Sequence, residues 1–354
     1  MWSAGKVRVL VAGGGVAGTA AALALQRAGI SPVVYEAHAE GGEDAGAFLT
    51  VMANGMAALS SLGAESAVVA ASYPAGAVEL LDARGQVVGQ RPIEGSARTL
   101  TRAALYRAMQ GLAVERGIPV VHGKRLVTAT VGVELTFADG STADGDLLVG
   151  ADGVHSVVRG LIDELAPAPR YTGQHVIYGY APGELGGGAP GAYRMVFGSR
   201  AFFGFTAPGD GRTWWFARVN GDAWVAGAGA DRWRELALAA ARADETPVAE
   251  IIAATGAGDV VGGDSYDIPS TPNWHNDRMV LVGDAAHAAS PAAAQGASMA
   301  LADAVALAGA LSVHDDPAGA FAAYVAARRP RTEETVAASA RMVAGSTRDG
   351  GGRG

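Results

Sequence analysis

Three glycines near the N-terminus have the spacing of a phosphate-binding loop. Gly13, Gly15 and Gly18 lie between an apolar run at residues 7–12 and a run of helical composition at residues 19–28. Gly13 permits a tight turn, Gly15 lets a phosphate approach the backbone, and Gly18 allows the helix to pack closely on the strand. Because the N–H groups and dipole of a helix N-terminus attract anions, this segment predicts a phosphate site.

The residue at the end of the second predicted strand favours a dinucleotide as the ligand. Residues 33–36 end in Glu36, whose carboxylate could accept hydrogen bonds from both ribose hydroxyls and would repel a 2′-phosphate. With 51 glycines in the chain, about one such glycine pattern arises by chance, so a turn that binds nothing is the alternative. The position at the head of a strand–helix–strand unit favours the adenosine half of FAD or NAD.

Two later motifs carry carboxylates at the ends of predicted elements. Residues 148–159 read LVGADGVHSVVR, and residues 279–304 read MVLVGDAAHAASPAAAQGASMALADA. Asp284 directly follows a predicted strand, where a short carboxylate could accept a hydrogen bond from a ligand hydroxyl; capping of a nearby helix is the alternative. Residues 295–298 begin the next predicted helix, whose N-terminus suits a negative charge.

Together with GGGVAG at residues 13–18, these motifs resemble the three fingerprints of the class A flavoprotein monooxygenases, the para-hydroxybenzoate hydroxylase-like aromatic hydroxylases. The resemblance covers nearly the whole chain, including ANGMAALSSLG at 53–63, TLTRAALYRAM at 99–109 and YVAARRPR at 324–331. It implies an α/β fold in which an N-terminal Rossmann-like FAD-binding fold is interleaved with a smaller antiparallel β-sheet substrate domain.

The resemblance assigns FAD contacts to residues in every motif. Asp284 is implied to bind a ribityl hydroxyl, Arg102 to contact the phosphate or ring region, and Gly46 to be the small residue where a loop passes the isoalloxazine. For Arg102 a surface ion pair is the alternative. The full implied set is Gly13, Gly15, Val16, Ala17, Gly18, Glu36, Gly46, Arg102, Leu126, Asp152, Asp284, Pro291, Gly296, Ala297 and Ser298.

The Asp-Gly motif is implied to support FAD and the transient path of NADPH or NADH. Arg159 is the predicted contact on that path, and an ion pair that ties two loops together is its alternative. His155 and His287 are predicted to be structural, hydrogen-bonded histidines. The chain departs from the usual pattern at three places: Ala294-Gln295-Gly296 replaces Gly-Gln-Gly, Ser298 stands where Asn is common, and the loop after Glu36 offers Asp44 where some relatives have arginine.

Residues 174–227 alternate β-branched and aromatic residues, which predicts an antiparallel sheet in a second lobe. We predict a discontinuous FAD-binding domain over 1–75, 98–173 and 265–345. The substrate domain would take 76–97 and 174–264, and 346–354 would form a disordered tail.

Aromatic side chains of the second lobe are the predicted substrate walls, and about half of them should be ordinary core because alternate strand residues face opposite ways. The candidates are Tyr178, Tyr193, Phe203, Phe205, Trp214 and Phe216. Few polar groups lie among them, which favours a largely apolar aromatic or polyketide-like substrate. The resemblance implies that NAD(P)H reduces FAD and that O2 then forms a flavin hydroperoxide, which transfers one oxygen atom. No side chain is assigned as catalytic and no metal is expected.

Other flavoproteins agree less well with the sequence. A flavin-dependent halogenase needs a lysine near the ring and a Trp-x-Trp-x-Ile-Pro segment, whereas this chain has only Lys6 and Lys124 and a Trp214-Trp215-Phe216 run. An amine-oxidase-like flavoprotein would account for Gly41-Gly42 but leaves the two later motifs unexplained. An FAD-dependent oxidase or dehydrogenase of the same fold, or a catalytically inactive flavin-binding protein, remains open.

Composition excludes several other classes of function. A net charge of −8 without a basic run disfavours nucleic acid as a partner. The absence of cysteine excludes disulfides, thiolate nucleophiles and cysteine-ligated metals, and it leaves no thiol for covalent attachment of FAD, so the cofactor is expected to be non-covalent. The first residues lack the pattern of a signal peptide and no uninterrupted apolar span is evident. We therefore expect a soluble, cytoplasmic protein without a membrane span.

Overall fold

The glycine-rich loop lies between the first strand and the first helix of a parallel sheet. The structure is a computed structural model that describes residues 7–39, 46–224 and 229–348. Within them, five parallel strands pair in the order β18 (Met279–Leu281), β12 (Leu147–Gly150), β1 (Arg8–Ala12), β2 (Ser31–Tyr35) and β8 (Val120–Val121). The predicted strand–helix–strand unit is confirmed, with α1 (Val16–Arg27) beginning inside the glycine motif.

The main core surrounds this parallel sheet. Val9, Leu10 and Val11 of β1 are fully buried, in one core cluster with residues of α1 and with Leu135 and Phe137. The helices in the described residues are α1, α2 (Ala53–Leu62), α3 (Glu65–Ala70), α4 (Arg102–Glu115), α5 (Val157–Ile162), α6 (Ala230–Ala241), α7 (Val248–Ala254), α8 (Asp284–His287), α9 (Gly296–Val313) and α10 (Pro317–Arg348).

Three further sheets complete the described fold. Two are small and three-stranded: β3 (Phe48–Val51), β7 (Arg98–Thr101) and β4 (Tyr73–Pro74), and β11 (Thr142–Asp144), β10 (Glu134–Phe137) and β9 (Leu126–Ala129). The third has seven strands in the order β17 (Val260–Asp267), β13 (Arg170–Pro182), β16 (Arg212–Asn220), β15 (Ala201–Thr206), β14 (Ala192–Phe197), β5 (Ala77–Leu81) and β6 (Val87–Pro92). The predicted fold class is confirmed, although β5 pairs with β14 in parallel within the otherwise antiparallel sheet.

Some predictions about segments and boundaries have a different outcome. Strands from 77–92 and from 170–267 share the seven-stranded sheet, while the exact domain boundaries stay a prediction. The segment predicted as a disordered tail is helical as far as Arg348, and residues 349–354 lie outside the described part of the chain, as does Asp44. Helix α9 is long and apolar enough by composition to cross a membrane, but it packs against α1, α2 and α10.

The seven-stranded sheet separates two apolar clusters. On one face, Trp215 and Phe203 pack against α6 and α7; on the other face, Tyr180 and Trp214 pack against Phe48 of β3. Because successive strand residues point to opposite faces, neighbours such as Trp214 and Trp215 belong to different clusters. This alternation decides which aromatic residues are available to a ligand.

We expect Gly262→Ala to destabilise the protein by about 1–3 kcal/mol, the usual cost of overpacking a core. A Cβ at Gly262 would lie 2.4 Å from the Trp233 ring, whereas one at Gly263 would have no atom within 4 Å. Gly263→Ala on the same strand is therefore the matched control and should change the free energy of unfolding little. Equal unfolding free energies for the two variants in urea would contradict this packing.

Candidate functional site

Close contact with backbone carbonyl groups explains why two positions of the N-terminal loop are glycine. A Cβ at Gly18 would lie 1.8 Å from the carbonyl oxygen of Gly13, and one at Gly13, where φ is +102°, would lie 2.4 Å from the carbonyl oxygen of Ala151. A Cβ at Gly15 would have no atom within 4 Å. The loop is thus closed where α1 packs on the sheet and open beside Gly15, at the N-terminus of α1. That open space fits a diphosphate.

Glu36 is held firmly at the end of β2. Its Oε2 accepts a hydrogen bond from the Gly14 N–H at 2.7 Å, and its Oε1 accepts from the His38 N–H at 2.8 Å and contacts the His38 ring at 2.9 Å. Burial by itself would raise the pKa of Glu36, but these donors outweigh burial and hold the pKa below its ordinary value. The carboxylate is therefore ionised at neutral pH, and its remaining lone pairs suit ribose hydroxyls.

Two residues that the sequence analysis missed fix the same loop. The Thr19 hydroxyl and the Gln110 amide nitrogen both donate to the carbonyl oxygen of Gly14, at 2.8 and 3.0 Å. Gln110 comes from α4, whose N-cap Thr101 accepts a hydrogen bond from the Ala104 N–H. No sequence signal identifies Gln110, because its contact joins residues 96 positions apart.

The Gly-Asp motif forms a turn between β18 and α9. Asp284 is exposed there and makes no side-chain capping bond to α8, so the capping alternative has no support in the structure. A Cβ at Gly296, the first residue of α9, would lie 4.0 Å from Asp284 Oδ1. The carboxylate and the helix N-terminus therefore face the same space.

The other predicted contacts near α9 differ in accessibility. Pro291, in a short 3-10 turn, is exposed, and Ala297 is half-buried. Ser298 is fully buried, and its hydroxyl accepts a hydrogen bond from the Met52 N–H at 3.0 Å. A ligand could reach Ser298 only through its backbone, since its side chain is used to join α9 to α2.

A buried ionic network lies directly behind the Gly-Asp turn. Asp303 of α9 is fully buried and accepts hydrogen bonds from the Gly283 N–H at 3.0 Å, from Arg328 Nε at 2.7 Å and from the ring of His287. Burial alone would lower the pKa of His287, but the carboxylates of Asp303 and Asp284 raise it above its ordinary value. His287 is thus a structural histidine in this geometry, as predicted for it from sequence.

The side chain of the Asp-Gly motif also makes its hydrogen bonds within the protein. Asp152 accepts hydrogen bonds from the Ser156 hydroxyl and from the N–H groups of Val157 and Val158, at the start of α5. Burial raises the pKa of Asp152 in spite of these donors. Its Cα lies 3.2 Å from the position of a Cβ at Gly13, so the motif supports the glycine loop from behind.

The prediction for Arg159 does not agree with its position in the structure. It was predicted on the NAD(P)H path, but it is only 3% exposed and donates to the carbonyl oxygens of Ala285 and Val154 at 3.0 and 2.8 Å. A guanidinium that is buried in this way presents almost no surface to a dinucleotide. The structure favours the alternative, a contact that ties two loops together, with carbonyl groups in place of a carboxylate.

Three further residues that were predicted to contact the cofactor differ in their exposure and packing. Arg102 is exposed at the start of α4, and its backbone N–H donates to the Ala47 carbonyl at 2.8 Å. Gly46 lies in close contact with the second lobe, since a Cβ there would lie 3.3 Å from a Val261 methyl group and 3.6 Å from the Tyr180 ring. Leu126 is 9% exposed within the main core and presents little side-chain surface to a ligand.

Four of the six predicted substrate-wall residues share one face of the seven-stranded sheet. Tyr178, Tyr193, Trp214 and Phe216 belong to or pack against the cluster around Phe48, whose ring lies 5.5 Å from those of Tyr178 and Trp214. Phe48 is a wall residue that the sequence analysis did not name, although it directly follows the Gly46 loop.

The prediction that Phe203 and Phe205 are substrate walls is wrong. Both are at most 2% exposed and pack on the opposite face of the sheet with the α6 and α7 cluster. Their odd-numbered positions on β15 point away from Phe202 and Gly204, which face the Phe48 side. They are therefore core residues and not walls of this site.

An open cleft of about 240 Å³ leads to this face. It is lined by Gly46, Thr101, Ala103, Arg107, Tyr180, Asp210, Arg212 and Trp214. Burial raises the pKa of Tyr178 to about 12 and also raises that of Tyr180, so both phenols are neutral at physiological pH. The cleft therefore combines aromatic rings and neutral hydroxyl groups with the charged side chains of Arg107, Asp210 and Arg212.

Comparison with known proteins identifies this arrangement. The family described as "FAD binding domain" matches residues 6–175 and 269–339. The chain belongs to this FAD-binding family. It is similar to aurachin C monooxygenase/isomerase of Stigmatella aurantiaca, with 32% identity over 94% of this chain and 88% of that protein. Similarity to 3-amino-4-hydroxybenzoate 2-monooxygenase of Streptomyces cremeus is 31% over 93% and 84% of the two chains.

A solved structure of Klebsiella pneumoniae HpxO in complex with FAD and uric acid superimposes with a TM-score of 0.88. It shares 27% identity with this chain and is matched over 98% of this chain and 90% of its own. The protein is thus an FAD-dependent monooxygenase of the aromatic hydroxylase type, a flavoenzyme and an oxidoreductase. The open space beside Gly15, the carboxylate of Glu36 and the exposed Asp284 fit FAD.

We expect Gly15→Ala to weaken FAD binding by about tenfold or more, or about 1.4 kcal/mol. The added Cβ would occupy the space that the diphosphate needs, yet it meets no protein atom, so the apoprotein should unfold at an unchanged temperature. Calorimetric titration of apoprotein with FAD measures the affinity.

Gly111→Ala, on the exposed side of α4, is the matched control. It should stabilise the helix by about 0.5–1 kcal/mol and leave FAD affinity unchanged. Unchanged FAD affinity in the Gly15 variant would place the diphosphate elsewhere.

The His287–Asp303 pair should make stability depend on pH. Because the folded pKa of His287 is raised, its contribution is complete below the unfolded value near pH ~6.5 and is lost as pH rises through the folded value. We expect His287→Gln to cost about 3 kcal/mol at pH ~6 and less at alkaline pH. Chemical unfolding of both proteins across this range tests it, with the exposed His314→Gln as control. A pH-independent difference would show that His287 is uncharged in the folded protein.

Proposed function

We propose that this monooxygenase uses NADPH or NADH and O2 to insert one oxygen atom into a small aromatic substrate bound on the Phe48 side of the seven-stranded sheet. The observation that carries the proposal is the aromatic face formed by Tyr178, Trp214 and Phe216, of which Trp214 also lines the open cleft beside Gly46. Polyketide-like substrates with a fused aromatic ring would suit the same face.

Different residues of the site would bind different parts of the cofactor. The glycine loop and Glu36 would hold the diphosphate and ribose, and Asp284 with the N-terminus of α9 would hold the ribityl chain and ring. FAD, when bound, supplies the electron transfer and the activation of O2. Positive potential at the N-terminus of α9 would favour negative charge on the adjoining part of the cofactor.

The aromatic face would position the substrate and exclude water. Phe48 covers the centre of the face, with its ring 5.5 Å from Tyr178 and 6.2 Å from Phe216. A substrate ring that packs there is held in one orientation and shields the reacting atoms from solvent, which favours oxygen transfer over loss of reducing equivalents to peroxide. The neutral phenols of Tyr178 and Tyr180 could donate hydrogen bonds to the substrate.

We propose that the nicotinamide cofactor binds only transiently at the mouth of the cleft. Arg107 lines the cleft and is exposed, so it could attract the phosphates of that cofactor. We leave Arg159 out of this path, because it is only 3% exposed.

We expect NAD(P)H oxidation to be slow alone and to accelerate with a correct aromatic ligand, with product oxygen derived from O2. The measurement is mass spectrometry of product formed under ¹⁸O-labelled O2, together with the yield of hydrogen peroxide. Product oxygen from water, or stoichiometric peroxide with every ligand that accelerates NAD(P)H oxidation, would reject a monooxygenase and favour an oxidase.

Matched Phe→Leu variants on opposite faces of the sheet test the substrate position. Phe216→Leu should lower kcat/KM by roughly tenfold and raise the peroxide fraction, since packing on the substrate is lost. Phe203→Leu removes a buried ring from the other face and should reduce stability without changing the peroxide fraction.

A further inference from the structure

Two hydroxyl groups lie on the buried stripe of helix α10 that follows Pro330. Thr332, Val336, Ser339 and Val343 are all buried, and their spacing places them on one face of the helix. Thr332 and Ser339 are fully buried. Because a buried hydroxyl group is costly unless it makes a hydrogen bond, each of them needs a partner nearby.

The two hydroxyl groups have different kinds of partner. Thr332 Oγ1 contacts the carbonyl oxygens of Arg328 and Arg329, at 3.2 and 3.0 Å within the same helix. Ser339 Oγ instead donates to the carbonyl oxygen of Ser290 at 2.6 Å, a contact between residues 49 positions apart. Since a helix can satisfy a hydroxyl group with its own carbonyl groups, as it does for Thr332, the bond of Ser339 is not needed to form α10. Its effect falls on the segment around Ser290.

Ser290 is the first residue of the turn that leads into α9. It is only 3% exposed, whereas Pro291 and Ala294 of the same turn are exposed. The Ser290 hydroxyl makes no hydrogen bond to the described residues, so the carbonyl group is the part of this residue that is fixed by α10. The turn therefore has one buried end, which α10 holds, and one accessible side.

The other end of the turn has a strained backbone. Ala294 lies in the left-handed region, with φ of 51° and ψ of 33°, where the Cβ of an alanine is unfavourable. Among the described residues, Val133 is the only other non-glycine residue with a positive φ. Such a conformation persists only when the surrounding structure holds it. The bond from Ser339 to Ser290 is a contact that holds this turn.

Helix α10 also holds the beginning of the same loop. Arg328 Nε donates to Asp303, which in turn accepts a hydrogen bond from the Gly283 N–H. About three turns further along α10, Ser339 reaches Ser290. The loop between β18 and α9 is therefore fastened to α10 at two points, one through a carboxylate and one directly.

We propose that Ser339 is a positioning residue for FAD, which acts through the Ser290 carbonyl group on the turn before α9. The inference rests on the proposed function, since it takes the N-terminus of α9 as the place of the ribityl chain and ring. Ser339 keeps that N-terminus in the arrangement that faces Asp284. Without this bond the turn relaxes from the strained conformation at Ala294, and FAD must order it again on binding.

The first test compares Ser339→Ala with Thr332→Val by calorimetric titration of apoprotein with FAD. Each variant removes one fully buried hydroxyl group from the same stripe, so both should unfold at a lower temperature than the parent. Only Ser339→Ala should weaken FAD binding, by about 3- to 10-fold, the scale of one hydrogen bond. Unchanged FAD affinity in Ser339→Ala, or an equal loss in both variants, would overturn the proposal.

The spectrum of bound FAD separates positioning from general destabilisation. At saturating FAD, Ser339→Ala should alter the visible absorption bands and the fluorescence of the flavin, because the turn forms part of the surroundings of the ring. Thr332→Val should reproduce the parent spectrum, since its lost bond lies within α10. A Ser339→Ala spectrum identical to that of the parent would identify a merely structural serine and overturn the proposal.

Ala294→Gly tests whether the strained residue allows the turn to relax. Glycine adopts the left-handed conformation without the penalty of a Cβ. The loss of FAD affinity caused by Ser339→Ala should therefore be smaller in an Ala294→Gly background than in the parent, and an equal loss in both backgrounds would contradict the proposal. FAD binding and its spectrum need neither NAD(P)H nor an aromatic substrate, so these results stand apart from the isotope experiment on the proposed function.

Discussion

Placement of the Gly-Asp turn depends on one buried carboxylate. Asp303 receives hydrogen bonds from the backbone of Gly283, from His287 and from Arg328, and so joins the turn, α8, α9 and α10. Breaking such a buried ionic network by loss of one partner leaves an uncompensated charge and costs several kcal/mol. Asp303 thereby links the turn that carries Asp284 to α9, whose N-terminus faces the same space as the Asp284 carboxylate.

On the substrate side, the second constraint is the alternation of side chains along the strands of the seven-stranded sheet. Its strands present alternate residues to two different environments, so one face can be a dense core while the other remains adapted to a ligand. Trp215 and Phe203 fill the first, with the Trp215 indole donating to the Thr255 hydroxyl at 2.9 Å. Tyr178 and Arg218 lie on the second, where the phenol of Tyr178 is neutral and the Nε and Nη1 atoms of Arg218 make no hydrogen bond to described residues.

Local motifs were the predictable part of the molecule. The glycine loop, the strand ending in Glu36 and the turn at Asp284 are each encoded by residues close together in sequence, and each forms in the structure as expected. Their geometry follows from backbone rules that act over a few residues, such as the close approach of Gly18 to Gly13. The family resemblance rests on these segments, and the comparisons confirm it.

The sequence alone determined the fold class, the family and the presence of FAD, because backbone sterics and helix N-termini make those signals local. Tertiary structure decided the rest. It placed Phe203 and Phe205 in the core through strand alternation, brought the Ala285 carbonyl to Arg159, and brought Gln110 to the glycine loop. It also left the Nε and Nη1 atoms of Arg218 without a hydrogen-bond partner among the described residues. Whether a polar group is satisfied depends on which segments fold around it, and no spacing along the chain records that.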